Sequence, residues 1–427
     1  MSEENYEFEN DMEKEIEPKN KSGFSKGVFF GMVIMLLVVS VTGLLLITAL
    51  RKNGYEITNV KVDKNLTAGI LSEQVEGKVA EILNALSTYY YDDVDSSVLA
   101  EGMFRGMVDS LGDKYTTYFN KQEYEDFMLS TTGIYYGIGA LLAQDKNTNI
   151  ITIEKVYANS PAEESGLMEG DIILSANGVS SEGISVSELV NYIRGEEGTD
   201  VTLSIKRGDK TLEITCTRRR VDVPTIEYTM FDNNIGYIMI SQFEEVTAQQ
   251  FKDALKDLKN QGMKALVIDL RGNPGGLLSS VSEILDEILP EGLLVYTENK
   301  YGHKEEYTSK KGELGLPLCV LVNESSASAS EIFAGAIKDY EYGTLIGTNT
   351  FGKGIVQVIV PLKDGSAIKV TTSRYYTPKG NYIHGVGIAP DIELPYKFLG
   401  GENDKYEYRF DNQLQRALEI LGDKINE

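Results

Sequence analysis

Histidine, cysteine and tryptophan are scarce in this sequence of 427 residues, which contains two histidines, two cysteines and no tryptophan. The cysteines, Cys216 and Cys319, lie in short apolar stretches typical of strands, so we expect two buried thiols. Neither belongs to a Cys/His spacing that predicts zinc, and no metal or cofactor is expected. Positive charge is also in deficit, with 41 Lys and Arg against 65 Asp and Glu and a net charge of −24. Because phosphate binding requires clustered Lys and Arg, the composition argues against a nucleic-acid partner.

One long stretch lacks charge altogether. Residues 27–50, GVFFGMVIMLLVVSVTGLLLITAL, have no charged side chain over 24 positions, and about 20 apolar residues span a bilayer. A signal-peptide core is shorter, about 7–15 residues, so we expect an uncleaved transmembrane anchor, although ITALRKNG leaves a cleavage site open. Basic residues lie on both sides of the stretch, so the positive-inside rule does not decide which side of the membrane each end occupies. Residues 1–26 are predicted to be a disordered acidic cytoplasmic tail, and residues 51–66 a linker.

The remaining chain falls into four segments, and their sequence patterns together predict a multidomain α/β protein. Residues 67–130 carry apolar positions at helical spacing and are predicted to be an N-terminal helical segment, whose apolar face either packs in a core or forms a dimerisation arm. Residues 131–220 are predicted to contain five or six short strands separated by Gly and Asn turns, with two helices. Residues 221–398 alternate near-continuous apolar strands with helices, which indicates a layered α/β core with a covered sheet. Near the end of this core, IVQVIVPL and SAIKVTTSRYYT are predicted to form a hairpin. Residues 399–427 are predicted to be a C-terminal helical segment with one amphipathic helix, Gln413 to Leu421.

The small domain at 131–220 contains a glycine-rich stretch, GIYYGIGALL. Its glycines let consecutive backbone N–H groups converge, as a terminal carboxylate requires, although a bare turn explains them equally well. The following SPAEESGLMEGDIILSANG, Ser160 to Gly178, is more specific and resembles the PDZ domain of bacterial proteases, a small β-barrel with two helices. By itself a PDZ domain implies only a binding module. The resemblance implies a carboxylate-binding loop formed by Tyr136, Gly137, Ile138, Gly139 and Ala140.

Three loops rich in small residues follow strands of the predicted core: DLRGNPGGLL, VNESSASASE and GTNTFGKGIVQ. Strand ends are where α/β folds place ligands. RGNPGG is either a plain turn or a loop that presents a glycine amide to an oxyanion. In the second loop, Ser328-x-x-Glu331 matches a capping box, yet a serine that begins a helix after a buried strand is also well placed to attack. The sequence alone leaves both possibilities open at each loop.

A nucleophilic serine needs a base, and neither histidine has a promising setting. His303 lies in a charged stretch and His384 in a glycine-rich turn, so a Ser-His-Asp triad is not favoured. Lys353, isolated between two glycines after Phe351, would lose its charge readily if buried, and a Ser-Lys dyad is the economical solution. The other Ser-x-x-Lys match, Ser366 to Lys369, lies in a strand pattern where positions i and i+3 point to opposite faces, and we discount it.

From Leu71 to Pro395 the chain resembles the carboxyl-terminal processing (tail-specific) proteases. The resemblance rests on LRGNPGG, SASASEIFAGA, GTNTFGKGIVQ, YYTPKGNYIHGVGIAPDIEL, the PDZ motif and the helical segment around LGDKYTTYF. That last segment departs from many relatives, which have Pro after the Asp. The resemblance implies the following roles: Ser328 as nucleophile, Lys353 as general base, Gln357 orienting the lysine, and an oxyanion hole of Ala329 N–H with Gly275 N–H, Gly276 being the alternative.

The sequence therefore predicts a membrane-anchored serine endopeptidase that recognises substrate C-termini through its PDZ domain, with the catalytic part outside the cytoplasm. Its partners would be proteins or peptides with free C-termini, the membrane through residues 27–50, a second copy in a homodimer, and a regulatory protein. The alternative is a catalytically silent PDZ adaptor on a protease fold. A trypsin-like, His-dependent PDZ protease is disfavoured because its Gly-Asn-Ser-Gly-Gly loop is missing.

Overall fold

The computed structural model describes residues 68–310, 312–401 and 404–426. The predicted acidic tail at 1–26, the anchor at 27–50 and the linker at 51–66 all lie outside these residues. Within the described part of the chain, no helix combines the length and the apolar character needed to cross a bilayer. The chain divides into two compact units after Ser96.

The described part of the first unit contains helix α1 (Glu73–Tyr89). Its start is capped by Ser72, whose hydroxyl accepts the Val75 N–H at 3.4 Å. The apolar residues that predicted this helix do form one, but Val75, Ile82 and Leu83 are all exposed in the described chain. The helix is therefore confirmed, while its predicted role in dimerisation stays a prediction.

The second unit opens with two helices that flank a short strand. They are α2 (Ser96–Asp109), β1 (Thr117–Phe119) and α3 (Lys121–Thr132). The turn between α2 and β1 is fixed by the Asp113 carboxylate, which accepts the Tyr115 N–H at 3.0 Å and the Thr116 hydroxyl at 2.7 Å. This turn carries Tyr115 to the side chains discussed below.

The small domain has the two predicted helices and more strands than the five or six expected, because it includes a separate two-stranded ribbon. The main sheet has the order β3-β4-β5-β7-β8 with β6 on β5, and the ribbon pairs β2 with β9. Among the described strands β3 pairs only with β4, so its second edge is open. The elements are β2 (Ile134–Gly137), β3 (Ala140–Gln144), β4 (Ile151–Val156), α4 (Pro161–Glu164), β5 (Ile172–Ala176), β6 (Val179–Ser180), α5 (Val186–Ile193), β7 (Asp200–Arg207), β8 (Lys210–Thr217) and β9 (Arg219–Asp222).

The large domain is built on a six-stranded sheet with the order β10-β11-β12-β15-β16-β19, parallel except for the β10–β11 pair. Every residue of β12 and β15 is buried, as their continuous apolar sequences predict for a sheet covered on both faces. The elements of this layer are β10 (Ile226–Met230), β11 (Ile235–Ile240), α6 (Thr247–Asn260), β12 (Ala265–Asp269), α7 (Leu278–Asp286), β15 (Leu318–Val322), α8 (Ala329–Asp339), β16 (Thr344–Gly347) and β19 (Ile392–Glu393).

Helices cover both faces of this sheet. Residues of α6, α7 and α8 share one apolar cluster with Ile268 and Val320. On the opposite face, Leu414, Ala417 and Leu421 pack against the sheet from the C-terminal helix, α9 (Asn412–Asn426). The predicted helix at 413–421 is thus confirmed, and it forms one layer of the core.

A second, antiparallel sheet joins the helix layer through Val295 and Tyr375, which belong to the same apolar cluster. Its long strand β18 pairs with β17, as the predicted hairpin requires, and also with β1 and β13. Lys369 lies within β18, which confirms that Ser366-x-x-Lys369 is not helical. The strands are β13 (Gly292–Asn299), β14 (Lys304–Ser309), β17 (Ile355–Pro361) and β18 (Ala367–Tyr376).

The topology explains why three distant loops meet. Strands β12, β15 and β16 are parallel neighbours, so their carboxyl ends lie at one edge of the sheet. The loops that follow them begin at Leu270, Asn323 and Thr348. These are the three small-residue loops that the sequence singled out.

Candidate active site

The first two loops are joined by direct hydrogen bonds. Gly272 N–H donates to the side-chain oxygen of Asn323 at 3.0 Å, and Ala327 N–H donates to the Asn273 carbonyl oxygen at 3.0 Å. The Ser326 hydroxyl donates to the Leu270 carbonyl oxygen at 2.8 Å. The loop of the candidate nucleophile is therefore held against RGNPGG along its length.

The structure separates the four serines of SSASAS, all of which it describes. Ser326 and Ser330 are buried, and the Ser330 hydroxyl donates to the Asn273 carbonyl oxygen at 3.0 Å. Ser325 is exposed. Ser328 alone among them lines a cavity of about 600 Å³, so its hydroxyl is the one placed to meet a ligand.

The backbone at Ser328 is unusual. Its φ of 55° and ψ of −112° lie outside the regions that L-residues prefer. Such a conformation costs about 1–3 kcal/mol and persists only where the surroundings enforce it, most often at functional sites. The strain marks Ser328 as a position that the fold holds in place.

The enforcing contact is the carboxylate of Glu331, which has no exposed surface. It accepts four hydrogen bonds: from Ser328 N–H at 2.9 Å, Lys353 N–H at 2.7 Å, Gly352 N–H at 2.6 Å and the Thr350 hydroxyl at 2.6 Å. One side chain thereby joins the serine loop to the lysine loop. Sequence reasoning identified Glu331 only as a capping residue and missed this second role.

The capping question has a geometric answer. Ser328 and Glu331 form the capping-box pattern, but the Glu331 amide donates to the Ser328 backbone carbonyl oxygen at 2.9 Å. That amide therefore has a main-chain acceptor besides the Ser328 side chain, so the cap does not depend on the hydroxyl alone. The side chain remains available for chemistry.

Lys353 lines the same cavity, in the turn before β17. Burial lowers the pKa of its ammonium group, and the positive charge of Lys369 lowers it further, while Asp113 and Glu331 act in the opposite direction. Its Nζ lies 5.0 Å from the centre of the Tyr115 ring. A lysine with a lowered pKa is suited to act as a general base.

Gln357 also lines the cavity, but its amide group donates to the Tyr115 carbonyl oxygen. Lys353 lies ahead of β17, whose register shifts at Gln357, so the two residues are not a simple pair on one strand face. Among the described residues no hydrogen bond joins Lys353 Nζ to Ser328 or Gln357. The orienting role of Gln357 stays a prediction.

The candidate oxyanion donors differ in their availability. Ala329 N–H lies at the first position of α8, where helix amides have no internal acceptor. The backbone of Gly275, with φ of 103°, lies close to Ser328: a Cβ atom added at Gly275 would be 2.7 Å from Ser328 Cβ. Its N–H, however, donates to Asn273 Oδ1 at 2.8 Å, whereas Gly276 N–H has no acceptor among the described residues. Both assignments stay predictions, and the geometry leaves the Gly276 amide the freer of the two.

Two further side chains lie near the site: Tyr375, which the sequence did not indicate, and His384, which the sequence placed in a glycine-rich turn. The Tyr375 hydroxyl lies 3.0 Å from the Ser328 carbonyl oxygen and 2.7 Å from that of Lys353, so it braces the same pair of loops as Glu331. His384 borders the lysine turn, since Gly354 N–H donates to its Nδ1 at 3.3 Å. It lines a different cavity from Ser328. The histidine scarcity therefore leaves Lys353 as the base candidate in the cavity.

The predicted carboxylate loop of the small domain borders a groove of about 570 Å³. Gly137, Ile138 and Ala140 line it, whereas Tyr136 and Gly139 do not. Residues of β3 and of α5 also line the groove, and β3 has an open edge. An extended peptide added to that edge is the PDZ mode of binding. The role of the five loop residues stays a prediction.

Comparison with known proteins fits this geometry. The sequence pattern of Peptidase family S41 matches residues 234–394, a PDZ domain pattern matches 152–207, and the pattern of the activating protease CtpB N-terminal domain matches 37–123. A probable CtpA-like serine protease of Staphylococcus saprophyticus is 36% identical over 375 residues, which cover 84% of this chain and 76% of that protein. The chain belongs to peptidase family S41. It is a serine endopeptidase with a PDZ domain.

Two other relatives extend the comparison. A probable CtpA-like serine protease of Staphylococcus aureus strain COL is 36% identical over 321 residues, covering 74% of this peptidase and 64% of the relative. A solved structure, the photosystem II D1 C-terminal processing protease, is 27% identical and covers 80% of this chain and 90% of that one, with a TM-score of 0.45.

Replacing Glu331 by Gln tests whether this carboxylate holds the site together. An amide cannot accept all four hydrogen bonds, and its NH₂ group opposes backbone donors. We expect the free energy of unfolding to fall by about 3 kcal/mol, and kcat to fall by about 100-fold because the two loops lose their alignment. Chemical denaturation and peptide cleavage measure the two effects.

The matched control is Glu324→Gln in the same loop. Glu324 is exposed and accepts one hydrogen bond, from the Thr348 hydroxyl at 2.9 Å. We expect this variant to have nearly the same free energy of unfolding and kcat as the unsubstituted enzyme. If Glu331→Gln and Glu324→Gln change the free energy of unfolding and kcat to the same extent, the role assigned to Glu331 is wrong.

Proposed function

We propose that this S41 peptidase hydrolyses peptide bonds with a Ser328–Lys353 dyad through an acyl-enzyme. The observation that carries the proposal is that a strained Ser328 and a half-buried Lys353 with a lowered pKa line one cavity, on loops joined by Glu331. Strain at the nucleophile and a shifted pKa at the base are what this chemistry requires.

In the first half-reaction, neutral Lys353 Nζ takes the proton of the Ser328 hydroxyl as Oγ attacks the substrate carbonyl carbon. Ala329 N–H and a glycine amide of RGNPGG stabilise the resulting oxyanion. The lysine then gives its proton to the leaving amine. In the second half-reaction a water molecule loses a proton to Lys353 and attacks the acyl carbon. The bond between that carbon and Ser328 Oγ then breaks, Lys353 returns the proton to Oγ, and the fragment with the new C-terminus is released.

The cavity wall supports a preference for apolar residues at the cleaved bond. Its lining is mainly apolar, with contributions from α3, the start of α7, α8 and β17: Tyr124, Phe127, Met128, Leu277, Leu278, Ile332, Val356 and Ile359. A pocket of this kind favours apolar side chains through burial of their surface.

We further propose that the PDZ groove captures the free C-terminus of the substrate. Residues 27–50 would anchor the enzyme in the cell membrane as a single-pass protein, with its catalytic part extracytoplasmic. A homodimer and a regulatory protein partner belong to the same proposal. The length and lack of charge of residues 27–50 support the anchor.

Ser328→Ala and Lys353→Ala test the dyad. Each removes one reacting group, so we expect kcat for a peptide substrate to fall by at least about 10³-fold in either variant, with unchanged thermal unfolding. The exposed neighbours Ser325→Ala and Lys363→Ala serve as controls and keep their activity. Near-normal cleavage by either dyad variant refutes the assignment, and an inactive unsubstituted enzyme favours the silent adaptor.

The pH profile tests the base separately. The positive charge of Lys369 lowers the pKa of Lys353, so Lys369→Met raises that pKa and leaves less neutral base at a given pH. The rising limb of kcat/KM against pH should move to higher pH, with activity reduced near neutrality and recovered in alkaline solution. Lys369→Arg keeps the charge and should keep the profile. An unshifted limb in Lys369→Met argues against Lys353 as the titrating base.

A further inference from the structure

The peptide groove of the small domain is completed by the protease core. One wall is the edge of β3 and helix α5, but the groove is also lined by Asp126 of α3, by Val223 and by Glu244. Glu244 lies in the loop between β11 and α6 of the core. A peptide bound along β3 therefore meets side chains of a second domain.

Glu244 is the unusual member of this lining. It is only 8% exposed, and its Oε2 atom is buried with no hydrogen-bond partner among the described residues. Burial raises the pKa of this carboxyl to about 7. A buried carboxylate without a partner is costly, and that cost is relieved when a donor or a cation arrives.

The backbone around Glu244 holds it at the junction of the two domains. Its N–H donates to the Thr247 hydroxyl at 2.9 Å. Its carboxylate packs on Gly133, where any side chain would overlap Oε2 and where φ is 67°. Val223 N–H donates to the Gly133 carbonyl oxygen at 2.9 Å. Gly133 directly precedes β2 and Val223 directly follows β9, so Glu244 lies where the small domain joins the core.

A positive group lines the same groove. Arg194, which follows α5, has a buried Nε with no hydrogen-bond partner among the described residues, and its guanidinium lies 5.3 Å from the centre of the Tyr135 ring. It lies next to the carboxylate loop, since Gly195 N–H donates to the Tyr136 carbonyl oxygen at 3.4 Å. Among the described residues that line the groove, one carboxylate oxygen and one guanidinium nitrogen are thus buried without a hydrogen-bond partner. The guanidinium of Arg194 can pair with the terminal carboxylate of a bound peptide. The carboxylate of Glu244 can then pair with a cationic group of the same peptide.

We propose that Glu244 determines the specificity of the peptide groove by pairing with a Lys or Arg side chain near the C-terminus of the bound peptide. This inference rests on the proposed capture of C-termini by the small domain. It adds a substrate class: chains that end in a free carboxylate and carry a cationic residue within the last few positions. An acidic side chain at the same place would meet Glu244 and be rejected.

The pairing needs an ionised carboxylate, so the preference for a cationic residue depends on pH. The other titratable or charged side chains lining the groove are Asp126, Tyr135, Tyr157 and Arg194. Burial raises the pKa of Tyr157, and the negative charge of Glu244 contributes in the same direction. Both tyrosines stay neutral between pH 6 and 8. With the pKa of Glu244 near 7, the preference should be stronger at pH 8 than at pH 6.

Peptide binding to the full chain tests the proposal, in detergent and with Ser328→Ala to prevent cleavage. The probes are fluorescent ten-residue peptides with lysine at each of the last four positions in turn, each paired with a norleucine peptide, as free acids and as C-terminal amides. Anisotropy titrations give Kd. At pH 8 we expect one lysine peptide to bind about tenfold more tightly than its norleucine partner, and this ratio to fall below about twofold at pH 6.

Three variants assign the effect to Glu244. Glu244→Gln keeps the shape and removes the charge, and should reduce the lysine preference below about twofold at pH 8. Glu244→Asp keeps the charge and should retain part of the preference. Glu245→Gln changes the exposed neighbour and should leave the preference intact.

The outcomes separate this inference from the function on which it rests. If free acids and amides bind equally, or no peptide binds, capture of C-termini is refuted and the inference falls with it. If binding requires the free carboxylate but shows no lysine preference, or the preference survives in Glu244→Gln, the proposed capture stands and the role of Glu244 is overturned.

Discussion

The buried carboxylate of Glu331 is the interaction on which the catalytic geometry depends. The candidate nucleophile and base follow different strands, β15 and β16, and neither side chain bonds to the other in this structure. Their relative position is set by four hydrogen bonds to one carboxylate, three of them from main-chain amides. Hydrogen bonds to a charged, buried acceptor are among the stronger ones in proteins. The Tyr375 hydroxyl repeats the link through the two carbonyl oxygens, so both loops are held as one rigid piece.

The RGNPGG loop is held in place by residues near the C-terminal end of the chain. Arg271 of RGNPGG pairs with Asp269 at 2.5 Å and with Asp411 at 2.8 Å, and donates to Gln413 at 2.8 Å. Asp411 and Gln413 belong to the segment that begins α9 and covers the sheet. The glycine amides proposed for the oxyanion are therefore positioned by residues well over a hundred positions later, and α9 has a structural role in the site that its sequence pattern alone does not reveal.

Local patterns predicted much of this enzyme, and contacts between distant residues account for the remainder. Apolar runs located β12 and β15, and the parallel order of their sheet brings the three loops together. Ser328 and Lys353 followed from the chemistry of their settings and from the family resemblance. Glu331 was interpreted through its local capping motif, because its bonds to residues 350–353 require the folded sheet. Glu244 stands in no motif, and the direction of the Gly275 amide depends on the side chain of Asn273, which no spacing rule encodes.

The same contacts indicate what has to move before catalysis. The Lys353 N–H is fixed by Glu331, whereas its Nζ rests near the Tyr115 ring and the Gln357 amide is bound to the Tyr115 carbonyl oxygen. If Lys353 is the base, as proposed, its Nζ has to reach the Ser328 hydroxyl, and the contact with the Tyr115 ring competes with that approach. A contact between a cation and an aromatic ring contributes about 0.5–2 kcal/mol, which is small beside the hydrogen bonds that hold the loops. The turn that carries Tyr115 is therefore the natural place for control of this site, because a small displacement there changes the partners of both Lys353 and Gln357.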